Sequence, residues 1–302
     1  MAAASIQSSE VFNVASEHTG DVYQISVGLP MSYFDDPNMS FPVVYMIDAN
    51  LEFEAVVGLA RLMQFGGVVP EFAVVGIGYP LEGNYEDDLA EFGKRRARDL
   101  TSAIDERYEQ FVTEAFGVDG TVETGGSERF LGFIADELLP LVEGQYRLDP
   151  DDRTLLGHSA GGHFALYALL RQPRLFKRYA VGSPSLGFGD GRLFDLEQEY
   201  ASKSEDLPAR LFLGIGSEEE PSPQSPTSYM QEIISVSHVN RFTSLLEDRG
   251  YQNLFMSTKV FEGHGHLDVF GPFVASGLRY LFSNRQPHIT AVVSGGECNT
   301  CR

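Results

Sequence analysis

Short continuous apolar runs alternate along the chain with segments in which apolar residues recur at helical spacing. Continuous runs are typical of strands buried on both faces, and their alternation with helices predicts a mainly parallel sheet wrapped by helices. An antiparallel edge hairpin is expected before it, with its turn at Thr19-Gly20-Asp21. The predicted strands are 11–15, 22–29, 41–47, 72–77, 153–156, 176–181, 211–215 and 254–261, and the predicted helices are 54–65, 104–116, 127–141, 160–171, 230–249 and 269–282.

The chain shows no linker, composition break or internal repeat, so a single doubly wound α/β domain is expected over 11–283. Residues 1–10 are expected to be flexible, and 284–302 to form a tail without periodicity. Segment 81–126 mixes charge clusters with glycines and is interpreted as an inserted lid or flank of that domain.

Charge narrows the range of partners. The 302 residues include 22 Lys and Arg against 43 Asp and Glu, a net charge of −21, and the densest basic run, 94–98, is flanked by acidic residues. Because such a chain repels phosphate groups, neither nucleic acids nor membranes are expected as partners. No apolar stretch reaches the length of about 20 residues that a membrane span needs, and 1–10 lacks the features of a secretory signal, which predicts a cytoplasmic protein.

The two cysteines, Cys298 and Cys301, both lie in the predicted tail. They are too few for a disulfide framework, and they supply only half of the ligands that a structural zinc site needs. We therefore expect a solvated tail and a protein without a metal or cofactor.

A G-x-S-x-G sequence, Gly157-His158-Ser159-Ala160-Gly161, lies between a predicted strand and a predicted helix. This is the context of a nucleophile elbow, a turn so sharp that glycine is required around the serine. The Ser159 hydroxyl then projects at a helix N-terminus, where backbone N–H groups favour an oxyanion. The motif predicts a serine hydrolase with Ser159 as its nucleophile.

A serine hydroxyl needs a base, which in this fold follows the serine and the acid along the chain. Of the seven histidines, five lie before the elbow, in the elbow or its helix, in the 230–249 helix or in the tail. His264 and His266 remain, directly after the last predicted strand. That is the edge of the sheet where the base is expected.

The acid of the triad is expected after the predicted strand 211–215. Three carboxylates, Glu218, Glu219 and Glu220, follow one another there. Glutamate is an accepted triad acid, because it can hold the imidazole tautomer and stabilise the imidazolium. Glu219 is favoured, and Glu218 is the next choice.

His264, His266 and Asp268 also form an H-x-H-x-D sequence, a pattern found in binuclear metallohydrolases. Those sites need further histidines downstream, and only His288 in the tail follows here. The serine hydrolase is therefore the favoured interpretation and the metallohydrolase the alternative.

Several motifs together resemble the putative esterase family of α/β-hydrolases, which includes esterase D-like and enterochelin (siderophore) esterase-like proteins. The similarity extends over about 11–282. It is carried by PVVYMIDAN at 42–50, RARDLT at 96–101, the helix at 133–140, GHSAGG at 157–162, SPS at 183–185, GSEE at 216–219 and FEGHGH at 261–266.

The resemblance implies an α/β-hydrolase fold and a serine esterase acting on a small-molecule ester of the siderophore, aryl or natural-product type. It implies Ser159 as the nucleophile, His266 as the base and Glu219 as the acid. An acyltransferase would use the same triad with an alcohol in place of water, and a non-catalytic binding protein would have lost part of it. A peptidase is not favoured, because no second domain or propeller-like repeat is seen.

The resemblance also implies an oxyanion hole formed by the backbone N–H groups of Ala160 and Asn50. Two departures from the family pattern lie close by: Ala49 replaces a glycine, and His264 replaces a glutamate.

A cluster of arginines bears on the substrate. Arg95, Arg96 and Arg98 would attract an anionic substrate if they faced the cleft, since the rest of the chain is acidic. Arg98 is expected instead to pair structurally with Asp99.

Overall fold

A computed structural model describes residues 6–81, 83–222 and 227–283. Its centre is one eight-stranded sheet. The strands are β1 (Ser9–Ala15), β2 (Val22–Gly28), β3 (Phe41–Met46), β4 (Ala73–Gly78), β5 (Leu148–His158), β6 (Arg178–Gly182), β7 (Asp206–Gly216) and β8 (Gln252–Phe261). Their order across the sheet is β1-β2-β4-β3-β5-β6-β7-β8. β2 pairs antiparallel with β1 and with β4, and the other neighbours are parallel.

Helices cover both faces of the sheet. They are α1 (Ala49–Phe65), α2 (Tyr85–Leu100), α3 (Glu106–Phe116), α4 (Ser127–Gly132), α5 (Leu139–Gln145), α6 (Ala160–Arg171), α7 (Phe188–Ala201), α8 (Tyr229–Ile233), α9 (Val236–Arg249) and α10 (Phe270–Leu281). α1 and α10 share one buried apolar cluster with the sheet, and α2, α6, α7 and α9 share a second, larger one. Because both faces are buried, the central strands are the continuous apolar runs seen in the sequence.

The predicted fold class is confirmed by this mostly parallel sheet with helices on both faces. The edge hairpin is also confirmed, with β1 and β2 in antiparallel register from Ser9 opposite Gly28 to Ala15 opposite Val22. β1 begins at Ser9, inside the segment that was predicted to be flexible. Helix α6 has the predicted bounds.

The segment 81–126 contains a helix, α2, that its charge clusters concealed. Arg95 and Asp99 of this helix are both buried. Arg95 Nη2 lies 2.6 Å from Asp21 Oδ1, and Asp99 Oδ2 accepts a hydrogen bond from the Tyr23 hydroxyl at 2.9 Å. These partners are distant in sequence. The sequence of α2 alone therefore resembles that of an exposed segment, although the helix packs on the core.

Two predicted helices are not continuous. Segment 127–141 is interrupted by a π-helical turn, Phe133–Leu138, that lies between α4 and α5. Segment 230–249 is broken between α8 and α9, where Ser235 caps α9 by accepting a hydrogen bond from the His238 N–H. A helix, α7, also occurs where none was predicted, and Gly189–Gly191 in its first turn have positive φ.

The carboxyl ends of four neighbouring parallel strands carry the polar residues of interest. Ser159 follows β5, Ser183 follows β6, Glu219 lies in a 3-10 turn after β7, and His266 follows β8. Ligands of open α/β sheets bind at this edge, outside the carboxyl ends of the strands. The fold therefore brings these residues to one rim.

None of the helices within 6–81, 83–222 and 227–283 is both long and apolar enough to cross a membrane. The predicted tail, with Cys298 and Cys301, lies outside the described residues.

Candidate active site

Ser159 occupies the tight turn between β5 and α6. Its backbone has φ 60° and ψ −121°, a strained conformation for a residue with a side chain. A side chain at Gly157 would overlap the Gly161 carbonyl group, and a Cβ at Gly162 would lie 2.6 Å from the Gly182 carbonyl oxygen. Two glycines therefore permit the turn that presents Ser159 at the start of α6.

Gly161 is less constrained than the motif indicates. A Cβ there would lie 3.2 Å from Asp48 Oδ2 and 3.5 Å from Ile47 Cβ, which a small movement would relieve. These contacts show instead that the elbow packs directly on Ile47 and Asp48, the residues that precede α1.

Glu219 is held at both oxygens of its carboxyl group. Oε1 accepts hydrogen bonds from the Ser183 hydroxyl at 2.7 Å and from the Gly216 N–H at 2.9 Å. Oε2 lies 2.7 Å from His266 Nδ1. Of the three candidate acids, Glu219 is therefore the one that the structure joins to a candidate base.

In the described structure neither of the other two candidate acids is bonded to His266. Glu218 and Glu220 are exposed, whereas Glu219 is buried. Glu220 accepts hydrogen bonds from the backbone and side chain of Ser237, which lies on α9.

The loops after β7 and β8 are joined by hydrogen bonds. The Glu218 N–H donates to the His264 carbonyl at 3.0 Å, and the Gly263 N–H donates to the Ser217 hydroxyl at 2.9 Å. Because the loops are held in register, Glu219 and His266 meet.

The Glu219–His266 bond also selects the histidine tautomer. An ionised carboxylate can only accept, so His266 makes this bond with a proton on Nδ1. That leaves Nε2 as the atom able to take a proton from a nucleophile.

The His266 ring lies beside the elbow. Its centroid is 4.8 Å from that of the His158 ring, the residue before Ser159. In the described part of the chain no hydrogen bond joins Ser159 Oγ to His266, whose bond is to Glu219. Catalytic hydrogen bonds of this kind are often long before substrate binds and tighten in the complex.

The two predicted oxyanion donors both lie at helix N-termini. Ala160 is the first residue of α6 and Asn50 is in the first turn of α1, where backbone N–H groups have no partner inside the helix. The Asn50 side chain is bonded to Tyr79 in both directions, at 2.8 Å each. It therefore anchors the start of α1, while the backbone N–H keeps its orphan position.

Arg96, which begins the RARDLT motif, links the start of α1 to the elbow, a role that the sequence analysis did not assign to it. Its Nε and Nη2 donate to the two carboxylate oxygens of Asp48 at 2.8 and 2.9 Å, and Nη2 also lies 3.5 Å from the His158 carbonyl oxygen. Asp48 is buried and has a left-handed φ of 59°. This bidentate pair fixes the entrance to α1 next to the residue that precedes Ser159.

The other two arginines are also paired with carboxylates. Arg95 lies 2.6 Å from Asp21, and Arg98 lies 2.8 Å from Asp21 and 2.7 Å from Asp99. The predicted Arg98–Asp99 pair is confirmed. None of the three arginines is available as an uncompensated cation for an anionic substrate.

A buried histidine lies against the candidate base. Burial, with the neighbouring His266 and Arg96, lowers the pKa of His158 well below its usual value. Burial and the Asp48 charge raise the pKa of Glu52, whose carboxyl oxygen lies 3.9 Å from His158 Nδ1. A neutral His158 places no positive charge beside His266, which would otherwise oppose protonation of the base.

His264 has a carboxylate partner of its own. Its Nδ1 lies 2.8 Å from Asp268 Oδ2, and the Gly265 N–H donates to Asp268 Oδ1 at 2.9 Å. The bond from His264 lowers the pKa of Asp268. The two histidines of the H-x-H-x-D sequence thus bind different carboxylates, and the structure, where it describes the chain, shows no group of three or more His, Cys, Asp or Glu placed to hold a metal.

A cleft of about 510 Å³ opens beside His266, a size typical of small-molecule sites. Its described lining combines apolar, polar and acidic side chains and includes no Lys or Arg. The lining residues are Glu218, Glu219, Ser228, Met230, Gln231, Ile234, His266 and Leu267.

Comparison with known proteins adds a family to this geometry. Residues 101–253 match the family model described as putative esterase, a span that includes Ser159 and Glu219 and ends before His266. The chain is 29% identical over 233 residues to the ferri-bacillibactin esterase BesA of Bacillus subtilis (strain 168), covering 74% of this chain and 71% of that relative. It is 29% identical over 227 residues to the siderophore enterobactin esterase of Emericella nidulans, covering 69% and 71%.

A solved structure shares the fold. The BES protein from Bacillus cereus superposes with a TM-score of 0.76 over 94% of this chain and 99% of its own, at 24% sequence identity.

Proposed function

This chain belongs to the putative esterase family and is a carboxylic ester hydrolase similar to siderophore esterases, and from that premise we propose that it cleaves the ester bonds of a siderophore through an acyl-enzyme on Ser159. The printed activities of the relatives support the substrate class. The observation that carries the mechanism is the 2.7 Å bond between Glu219 and His266, at the rim where Ser159 projects.

In the first half of the proposed reaction, His266 Nε2 takes the hydroxyl proton of Ser159 as Oγ attacks the ester carbonyl carbon. Glu219 holds the resulting imidazolium through its bond to Nδ1. The N–H groups of Ala160 and Asn50 bind the oxyanion. Removing one such donor generally lowers the rate by about 10²–10³-fold. The C–O bond to the alcohol then breaks, and His266 returns the proton to the departing oxygen.

In the second half, a water molecule replaces the alcohol. His266 takes one of its protons, and the hydroxide oxygen attacks the acyl carbon. Collapse of this second tetrahedral intermediate releases the acid and returns the proton to Ser159. Atoms balance as one ester and one water consumed, with one acid and one alcohol produced.

The cleft beside His266 supports a substrate with substantial apolar surface and little negative charge. Met230, Ile234 and Leu267 form the apolar part of the cleft lining, and Glu218 adds a carboxylate to that lining. Arg95, Arg96 and Arg98 are all paired, and the described lining of the cleft holds no Lys or Arg to offset that charge.

The test is to incubate the protein with enterobactin, bacillibactin and triacetylfusarinine C, alongside nitrophenyl esters of increasing chain length. We expect at least one siderophore to be hydrolysed with a higher kcat/KM than any nitrophenyl ester. Ser159→Ala should lower kcat by at least about 10³-fold, because it removes the nucleophile.

Ser127→Ala is the matched control, since its buried hydroxyl makes no hydrogen bond within the described residues and its removal therefore breaks none there. Equal turnover by Ser159→Ala and the parent would refute the mechanism. Turnover of nitrophenyl esters alone would refute the siderophore substrate, and transfer of the acyl group to an added alcohol in preference to water would identify an acyltransferase.

A further inference from the structure

A serine lies between the nucleophile and the acid and has no part in the reaction steps above. Ser183 follows β6, the strand between β5 and β7. Its side chain is fully buried, and its hydroxyl donates to Glu219 Oε1 at 2.7 Å. We infer that Ser183 is a positioning residue, which fixes the Glu219 carboxylate in the orientation that supports His266. This inference rests on the function proposed above.

The contacts of Glu219 show what the hydroxyl contributes. The Gly216 N–H, at 2.9 Å, comes from the same turn as Glu219 and moves with it. Ser183 directly follows β6, a different strand, and ties the carboxylate to the body of the sheet. With Ser183 on Oε1 and His266 on Oε2, the plane of the carboxylate is defined from two sides.

The backbone at Ser183 is a second, independent observation. Its φ is 39°, in the left-handed region that favours glycine, and its N–H donates to the Gly214 carbonyl at 2.7 Å. Glycine would adopt this conformation without strain. A serine at this position is therefore expected to serve through its side chain, and the described contact of that side chain is with the acid.

A neighbouring serine provides a comparison within the same turn. Ser185 is also buried, and in the described structure its hydroxyl makes no bond to Glu219 or His266. Its carbonyl group accepts a hydrogen bond from His163, which a side-chain substitution leaves in place. Ser185→Ala is therefore a matched control for Ser183→Ala.

Loss of the Ser183 hydroxyl should affect turnover and not binding. A hydrogen bond to a charged group contributes enough that its removal should lower kcat about ten- to hundredfold, and KM should not change because Ser183 lies behind Glu219. With one donor fewer to the carboxylate, the Glu219–His266 pair takes up a proton more readily. The acidic limb of the pH profile of kcat/KM should therefore move to higher pH.

The experiment compares the parent with Ser183→Ala, Ser183→Gly and Ser185→Ala, using kcat, KM, the pH profile and the unfolding midpoint. Ser183→Gly relieves the left-handed strain and still lacks the hydroxyl, so it separates a backbone role from a side-chain role. Both Ser183 variants should show the lower kcat and the shifted limb, and Ser185→Ala should behave as the parent.

The inference would be overturned by a folded Ser183 variant whose kcat lies within about twofold of that of the parent and whose acidic limb does not move. Failure of both Ser183 variants to fold would also overturn it, since that would make the hydroxyl structural. The Ser159→Ala variant keeps the two proposals apart. If it is inactive while Ser183→Ala is unaffected, only the positioning role fails. If it is active, the proposed function fails first.

Discussion

The two histidines that follow β8 each pair with a carboxylate, and the two bond lengths are almost the same. His264 and Asp268 are 2.8 Å apart, and His266 and Glu219 are 2.7 Å apart. The Asp268 side chain is 65% exposed, whereas that of Glu219 is 4% exposed. Distance alone therefore does not tell the two pairs apart.

The difference between the pairs lies in what surrounds each carboxylate. Asp268 bonds within its own loop and faces water, where such pairs contribute little and are readily exchanged. Glu219 joins three strands through Ser183, Gly216 and His266. Burial and hydrogen-bond donors from separate elements hold a carboxylate in one orientation. A triad acid must be held in this way to orient the histidine that acts as the base.

The largest effect is expected from removing the charge of each carboxylate in turn. Glu219→Gln should lower kcat by about 10³–10⁴-fold, because an amide can donate to the histidine and stabilise the wrong tautomer. Asp268→Asn should leave kcat within about twofold, since its partner does not reach the reacting atoms. Steady-state kinetics on one ester substrate measures both. Comparable losses in the two variants would remove the distinction drawn between the pairs.

A third histidine, His163, sharpens the comparison, because it is buried and its hydrogen bonds within the described residues involve no carboxylate. Burial lowers the pKa of His163 to about 4, while its nitrogens bond to Ser102 and to the Ser185 carbonyl. The unfolded chain takes up a proton on this histidine below about pH 6.5, whereas the folded chain does so only near pH 4. The free energy of unfolding is therefore highest above about pH 6.5 and decreases as the pH falls towards 4.

The His163→Gln variant tests this dependence. Between pH 7 and about pH 4.5, the free energy of unfolding of the parent should fall by about 2–3 kcal/mol more than that of the variant. Urea unfolding at the two pH values provides the measurement. Equal pH dependence in parent and variant would show that His163 is not held neutral.

The smallest effect concerns an exposed carboxylate at the cleft. Glu218→Gln should raise kcat/KM for an anionic hemisuccinate ester by about two- to fivefold at low salt. The value for the neutral butyrate ester of the same alcohol should not change. The effect is small because an exposed charge acts weakly through water. Glu220→Gln is the matched control, since Glu220 bonds to Ser237 and is not part of the cleft lining. A gain that persists in about 0.5 M salt would contradict an electrostatic origin.

The sequence predicted best what depends on local geometry. The elbow and the bounds of α6 follow from glycines, a serine and a helical pattern that lie within a few residues of one another. Glu219 could be predicted because it follows a buried strand, and the ends of parallel strands meet at one edge. The choice among three adjacent glutamates depended on the resemblance as much as on position.

What the sequence did not reveal depends on contacts between distant segments. Helix α2 was missed because Arg95 and Asp99 find their partners at Asp21 and Tyr23, so that polarity no longer indicates exposure. Ser183 stood in a recognised SPS motif, but its role required knowing that β6 lies beside β7. Its position directly after a buried strand was the signal available.

The order of β5, β6, β7 and β8 has a consequence for how the site's dimensions are set. Its four polar groups leave consecutive strands, and neighbouring strands are spaced by about 4.8 Å. The spacing of the four strand ends is thus a multiple of the repeat of the backbone ladder, and the loops after β7 and β8 set only how Glu219 and His266 meet across it. Connections on the opposite rim, which return helices to strands, can lengthen or shorten without altering that spacing.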